Sequence, residues 1–158
     1  MNYNKVTDIY IPGIPSESQI HFKKDGTAIM LVRREQGGDK AKGFMGESHP
    51  PYTKWEWTEL DIYLAGHDFL IDENGIVVVT RLSQSIGQRT VAWYGDEDGN
   101  FEWCQTLPYG GHISDTGDTA YASILKEGNE YWISYYAIQE DEKPSIFFVK
   151  IPRRNFTY

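Results

Sequence analysis

Apolar positions along this chain recur with the period of β-strands. Ser18–Lys23 alternates, with Ile20 and Phe22 on one side and His21 and Lys23 on the other. Ala28–Val32 and Ile76–Val79 are continuous apolar runs, and Tyr131–Tyr136 is a looser one. Alternation fits a strand with one wet face, and a continuous run fits a strand buried on both faces. Val, Ile, Tyr, Phe and Trp dominate these runs, which last about 5–8 residues between turn signals. No stretch sustains a 3.6-residue period, so no helix is expected and the predicted class is all-β.

One unit occurs three times. Ser16–Phe22, the turn Lys24-Asp25-Gly26 and Ala28–Arg34 make the first copy. Gly66–Ile71, Glu73-Asn74-Gly75 and Ile76–Arg81 make the second. Ala120–Leu125, Lys126-Glu127-Gly128 and Glu130–Tyr136 make the third. Each reads as a strand, a tight glycine turn and a second strand; Asp-Gly and Asn-Gly suit such turns because they tolerate positive φ. Further strands are predicted at Gly43–Glu47, Glu56–Leu60, Thr90–Tyr94, Phe101–Leu107 and Ser145–Ile151.

Four antiparallel strands in about 50 residues have the size of a β-propeller blade. The chain therefore reads as three blades, near 15–62, 63–108 and 112–152. A lone N-terminal strand at 5–12, centred on Val6–Ile11, is expected to complete a blade. Three blades cannot close a ring, since rings use roughly 4–8, and an open arc bares two apolar flanks. Either the chain is half of a longer protein, or two copies form a six-bladed homodimer in which each N-terminal strand completes the last blade of the other.

Composition sets the outer bounds. The chain has 158 residues, 15% aromatics and a formal net charge of −8. Such acidity argues against a nucleic-acid partner, and no apolar run approaches the roughly 18 residues of a membrane span. Met1-Asn2-Tyr3-Asn4-Lys5 lacks an apolar h-region, so no signal peptide is expected. A single cysteine, Cys104, excludes an internal disulfide and a multi-thiolate zinc site, and reads as a buried structural thiol. His21, His49, His67 and His112 show no metal-ligand spacing, and Asp96–Asn100 is too short for a calcium loop. Neither a metal nor another cofactor is expected. Tyr52, Trp55 and Trp57 read as braces for a turn rather than as a sugar platform.

Hairpin arithmetic points to a site. With the turn near Asp25-Gly26, Glu17 falls opposite Arg33 or Arg34. By the same count His67 and Asp68 fall near Arg81, and Tyr121 falls near Tyr135. Strand ends are often polar because they meet solvent. Here, however, the matching ends of three equivalent hairpins all carry polar or phenolic side chains, Glu, Arg, His, Asp and Tyr among them. In a propeller this end surrounds the channel mouth.

With these residues in place, the chain from about Pro15 to Ile151 resembles the sialidase (neuraminidase) superfamily of six-bladed propellers, and looks like its C-terminal half. Ser16-Glu17, Asp25-Gly26 and Arg33-Arg34-Glu35 are similar to the segment carrying the sialidase glutamate and one arginine of its carboxylate clamp. Ala120-Tyr121-Ala122-Ser123, with Gly128 and Tyr135-Tyr136, resembles the segment carrying the tyrosine nucleophile. Asp96–Trp103 looks like a degenerate Asp-box (BNR repeat), and Ser48–Trp57 like a more diverged one. The resemblance implies Tyr121 as nucleophile, Glu17 as its base and Arg34 or Arg33 in the clamp; Arg81 is a weaker clamp candidate by its strand-end position alone, since its surrounding residues match no clamp motif. His67, Asp68, Asp118 and Tyr135 would flank the substrate, Asp118 reading equally as a turn residue. The implied ligand is sialic acid or a related acidic sugar.

A neutral phenol suits that chemistry because a carboxylate nucleophile would be repelled by the sugar's own carboxylate. A phenol near pKa 10 needs a base, and arginine forks hold carboxylates in a geometry lysine cannot copy. The family's first clamp arginine and its acid/base aspartate come from its N-terminal half, outside the residues that match, and Asp8 is no obvious substitute. The expectations are retaining glycoside hydrolysis, glycan binding without turnover, or a structural fragment with neither.

Overall fold

The computed structural model describes residues 3–38, 41–73, 75–84, 87–108, 118–138 and 143–153. The described residues contain strands and no α-helix. The first sheet holds β1 (Pro15–Phe22), β2 (Ala28–Arg34), β3 (Phe44–Ser48) and β4 (Glu56–Glu59) in that order. The second holds β5 (Asp68–Asp72), β6 (Gly75–Gln84), β7 (Gly87–Gly95) and β8 (Phe101–Thr106) in that order. The third holds β9 (Thr119–Glu127), β10 (Glu130–Ile138) and β11 (Pro144–Pro152), with β10 in the middle. All pairings are antiparallel between chain neighbours, so every sheet is a meander, and none closes into a barrel.

The third sheet has three strands, and residues 5–12 form no strand within this chain. The ladder stops there for a local reason. Pro12 lacks an N–H, and Gly13 has φ +96, so the chain turns before β1. The chain just after it is held beyond the end of β2, where the amides of Glu35 and Gln36 donate to the carbonyls of Ile14 and Gly13 at 3.0 and 3.1 Å.

The three sheets stack face to face, with β6 at the centre. Ile76 and Val78 of β6 pack with Ile29, Leu31, Met45 and Phe69 between the first and second sheets. Val77 and Val79, on the other side of the same strand, pack with Tyr94, Tyr131, Ile133 and Tyr135 between the second and third. This is why Ile76–Val79 is apolar without alternation: successive side chains point to opposite faces, and both faces are covered. Leu60, Ile62 and Leu64, on the link from β4 to β5, are wedged into the first of these layers.

The edge strands β1, β5 and β9 lie side by side. Asp68 of β5 links all three: its Oδ1 meets His21 Nε2 of β1 at 3.4 Å, and its Oδ2 accepts the N–H of Ile124 in β9 at 3.1 Å. The open ends of the three hairpins therefore converge.

Candidate functional site

Both residues expected to carry chemistry sit in bulges. The β1–β2 register shifts between Pro15 and Ser18, leaving Ser16 and Glu17 against Arg33. The β9–β10 register shifts between Ser134 and Tyr136, leaving Tyr121 and Ala122 against Tyr135. A bulge re-aims the side chain it carries. Tyr121 also has φ +48, a left-handed conformation that costs a residue with a Cβ about 1–2 kcal/mol. The residue is 68% exposed, and its ring stacks on Tyr136 with centroids 6.0 Å apart. Glu17 and Tyr121 line one hollow of about 250 Å³, together with Ser18, Gly66 and His67.

Glu17 is held at both oxygens. Oε1 accepts from Arg33 Nη1 at 2.9 Å, and Oε2 accepts the Gly66 N–H at 2.6 Å. Arg33 also donates through Nη2 to Glu35 at 3.1 Å, and its guanidinium lies 5.8 Å from the centre of the Tyr63 ring. Its buried Nε has no hydrogen-bond partner. Burial works against the charge of Arg33, but Tyr63, Glu17 and Glu35 outweigh it, so its pKa is raised.

Arg81 stands at the corresponding end of β6. Its Nη1 donates to Asp118 Oδ1 at 2.8 Å, and Asp118 Oδ2 accepts the hydroxyl of Tyr136. Burial opposes this charge too, and Tyr63 and Asp118 overcome it. The Tyr136 phenol is pushed up by burial and by Asp118. Two cationic forks from equivalent strands thus share one phenol, Tyr63.

The structure decides between Arg33 and Arg34 and moves the expected tyrosine by one residue, and the alternation of faces along a strand accounts for both. Arg34 points to the opposite face from Arg33. It donates to the Lys42 carbonyl at 2.7 Å and to Glu59 at 2.5 Å, with its guanidinium 4.2 Å from the centre of the Phe44 ring. Tyr135, expected at the rim, is buried with Tyr131, Ile133 and Ala137 between sheets, and its hydroxyl donates to the Pro108 carbonyl. Tyr136 takes its place beside Tyr121. Tyr63 and Tyr136 were not anticipated; adjacent strand residues point to opposite faces, so with Tyr135 buried Tyr136 takes the other face.

His67 and Asp68 lie deeper than expected. Asp68 pairs in register with Val79, and its carboxylate serves the three-strand junction instead of Arg81. Burial opposes ionisation of Asp68, yet bonds from His21, Ile124 and Phe69 hold its pKa below the usual value. His67 Nε2 lies 3.2 Å from the Leu31 carbonyl, so that nitrogen carries the proton. Its buried Nδ1 makes no hydrogen bond and stands 4.0 Å from Glu17 Oε2. Burial lowers the His67 pKa, although Leu31 and Glu17 pull the other way.

The opposite ends of the hairpins carry a larger hollow, about 480 Å³, lined by Lys23, Asp72, Glu97 and Lys126 among others. Asp72 and Glu97 are already paired there with Lys126 at 2.8 Å and Lys23 at 3.3 Å. The β7–β8 turn is at this end as well. Asp96 Oδ1 accepts the amides of Asp98 and Asn100 at 3.0 and 2.9 Å, closing a tight Asx-type turn around Gly99. Among the described residues no group of three His, Cys, Asp or Glu side chains could hold a metal ion. His112 lies outside the described residues. Cys104 is half-buried, and burial raises its pKa to about 11.

Compared with protein family patterns, curated proteins and solved structures, the chain matches none.

Proposed function

We propose that the open end of the three hairpins binds a carboxylate-bearing ligand, an acidic sugar of the sialic acid type, in a sialidase-like propeller of which this chain supplies three blades. One observation carries the reading: Arg33 and Arg81, from equivalent strand ends, flank the same phenol, Tyr63. Their partners Glu35 and Asp118 are 41% and 47% exposed at the side chain. Ion pairs of that exposure are worth about 0–1 kcal/mol. A ligand carboxylate meeting an arginine fork in a bidentate geometry makes a stronger bond and displaces them. The stacked rings of Tyr121 and Tyr136 offer a flat apolar wall beside the charge.

Binding without turnover is favoured over hydrolysis. Glu17 already accepts from Arg33 at one oxygen and from the Gly66 amide at the other, so neither oxygen is free to take a proton from the Tyr121 phenol. Asp118 is engaged by Arg81 and Tyr136. Hydrolysis is the second reading, favoured by the strained backbone at Tyr121 and by the hollow it shares with Glu17. The resemblance to Asp-boxes is consistent with the place of the Asp96 turn, far from the arginines.

Calorimetric titration with N-acetylneuraminic acid tests the reading. Saturable binding is expected, absent for a neutral sugar, with Arg33→Ala and Arg81→Ala each weakening it at least ~10-fold. Unchanged binding in the double variant overturns it. Release of the fluorophore from a fluorogenic sialoside, lost in Tyr121→Phe, would establish the hydrolytic reading instead.

A further inference from the structure

The second sheet is covered on both faces, whereas the first and third are each covered on one. On the free face of the third sheet, Leu125, Trp132, Ile146 and Phe148 form one apolar surface. Trp132 pairs with Leu125, Ser134 with Phe148 and Tyr136 with Ile146. Ile146 is 78% and Phe148 60% exposed. On the free face of the first sheet, Ile20 and Phe22 are exposed beside Met30. Ile9 and Ile11 lie along that face, against Met30 and Val32. Leu60, Ile62 and Leu64 hold the corresponding place on the second sheet, where they are enclosed by the first. Ile9 and Ile11 are thus half of an inter-sheet wedge whose other wall is missing.

We propose that a second copy of this chain supplies that wall: the free face of the third sheet packs on the free face of the first sheet of the other copy, and reciprocally, closing six sheets into a two-fold ring. The new junction repeats the packing that already joins sheets one to two and two to three. The area is sufficient. Three strands of nine residues present a face of roughly 30 by 14 Å. Counted on both copies at both junctions, this comes to roughly 1,700 Å², within the range of about 1,200–2,000 Å² for stable interfaces. Two copies are the number that fits, because closed rings hold roughly 4–8 such sheets and three copies would need nine. In the ring, the clusters of Arg33, Arg81 and Tyr121 from both copies face one mouth. The inference rests on the ring arrangement proposed above and not on the identity of the ligand.

The test is the mass of the full chain in solution by sedimentation equilibrium. Wild type is expected at twice the chain mass. Ile146→Asp with Phe148→Glu, on the third sheet, and Ile20→Asp, on the first, are each expected to halve it. All three sites are on the surface, so circular dichroism should be unchanged. A single-chain mass for wild type at the highest concentration it keeps in solution overturns the proposal. So does an assembly of any number other than two, or a two-chain mass that survives both variants. A two-chain mass without sialic acid binding would sink the ligand reading alone.

Discussion

Glu17 accepts the backbone N–H of Gly66 at 2.6 Å, so the bulge that opens β1 is tied directly to the chain two residues before the second sheet begins. The same carboxylate takes Arg33 at 2.9 Å. One side chain therefore joins two sheets and orients a guanidinium. Gly66 passes the link on, since its carbonyl accepts the Ala122 N–H of the third sheet at 3.1 Å.

Replacing Glu17 by Ala removes two charge-assisted bonds and leaves Arg33 with Glu35. The expected loss of stability is about 2–3 kcal/mol, read from the urea midpoint. Glu17→Gln keeps an acceptor for Gly66 and should lose less. Equal stability of Glu17→Ala and wild type would show that the link carries no energy.

Gly66 has φ +52, and a Cβ there would stand 2.5 Å from Ala120 Cβ and 2.6 Å from the Tyr121 amide nitrogen. No side chain fits without moving Tyr121. Gly66→Ala should cost at least ~1–2 kcal/mol from the left-handed backbone alone. It should also shift the amide resonances of Tyr121 and Ala122, and resonances left in place would contradict the close approach.

Asp72 makes acid sensitivity predictable. It accepts Lys126, Tyr131, Arg153 and the Glu73 amide at 2.6–2.8 Å. Burial alone would raise its pKa, but these four donors hold it down to about 2, against an ordinary value of 3.8. The unfolded chain therefore takes up this proton at higher pH than the fold does. The stabilisation is complete above the ordinary value and is lost as pH falls from about 4 to about 2. Asp72→Asn should be less stable than wild type at pH 7 by about 1–2 kcal/mol, allowing for solvent screening. The gap should close towards pH 2 in urea melts run across that range. A constant gap would assign the effect to packing.

Cys104 should be a poor nucleophile while the chain is folded, because burial holds its pKa at about 11. At pH 7 an aromatic disulfide reagent should label it roughly 100-fold more slowly than in denaturant. Equal rates would place the thiol in open solvent.

The alternating and continuous apolar runs, the glycine turns and the threefold unit are local properties. A strand's period is set by its backbone and a hairpin by its turn residues, so β1, β2, β6 and β10 were legible from composition and order. The bare count from Asp25-Gly26 likewise placed Glu17 at the arginines. It could not choose between Arg33 and Arg34, and it put Tyr135 where Tyr136 stands, because neighbours in a strand point to opposite faces. Which face is core depends on the sheet stacked against it. Burial of Tyr135 beside Tyr94 and Tyr131, the diversion of Asp68 to the amide of Ile124, and the approach of Tyr63, on the link between two sheets, to both arginines are contacts between parts far apart in the chain. No spacing along the chain encodes them. The strands were written locally; the side on which each residue does its work was decided only when the three sheets packed.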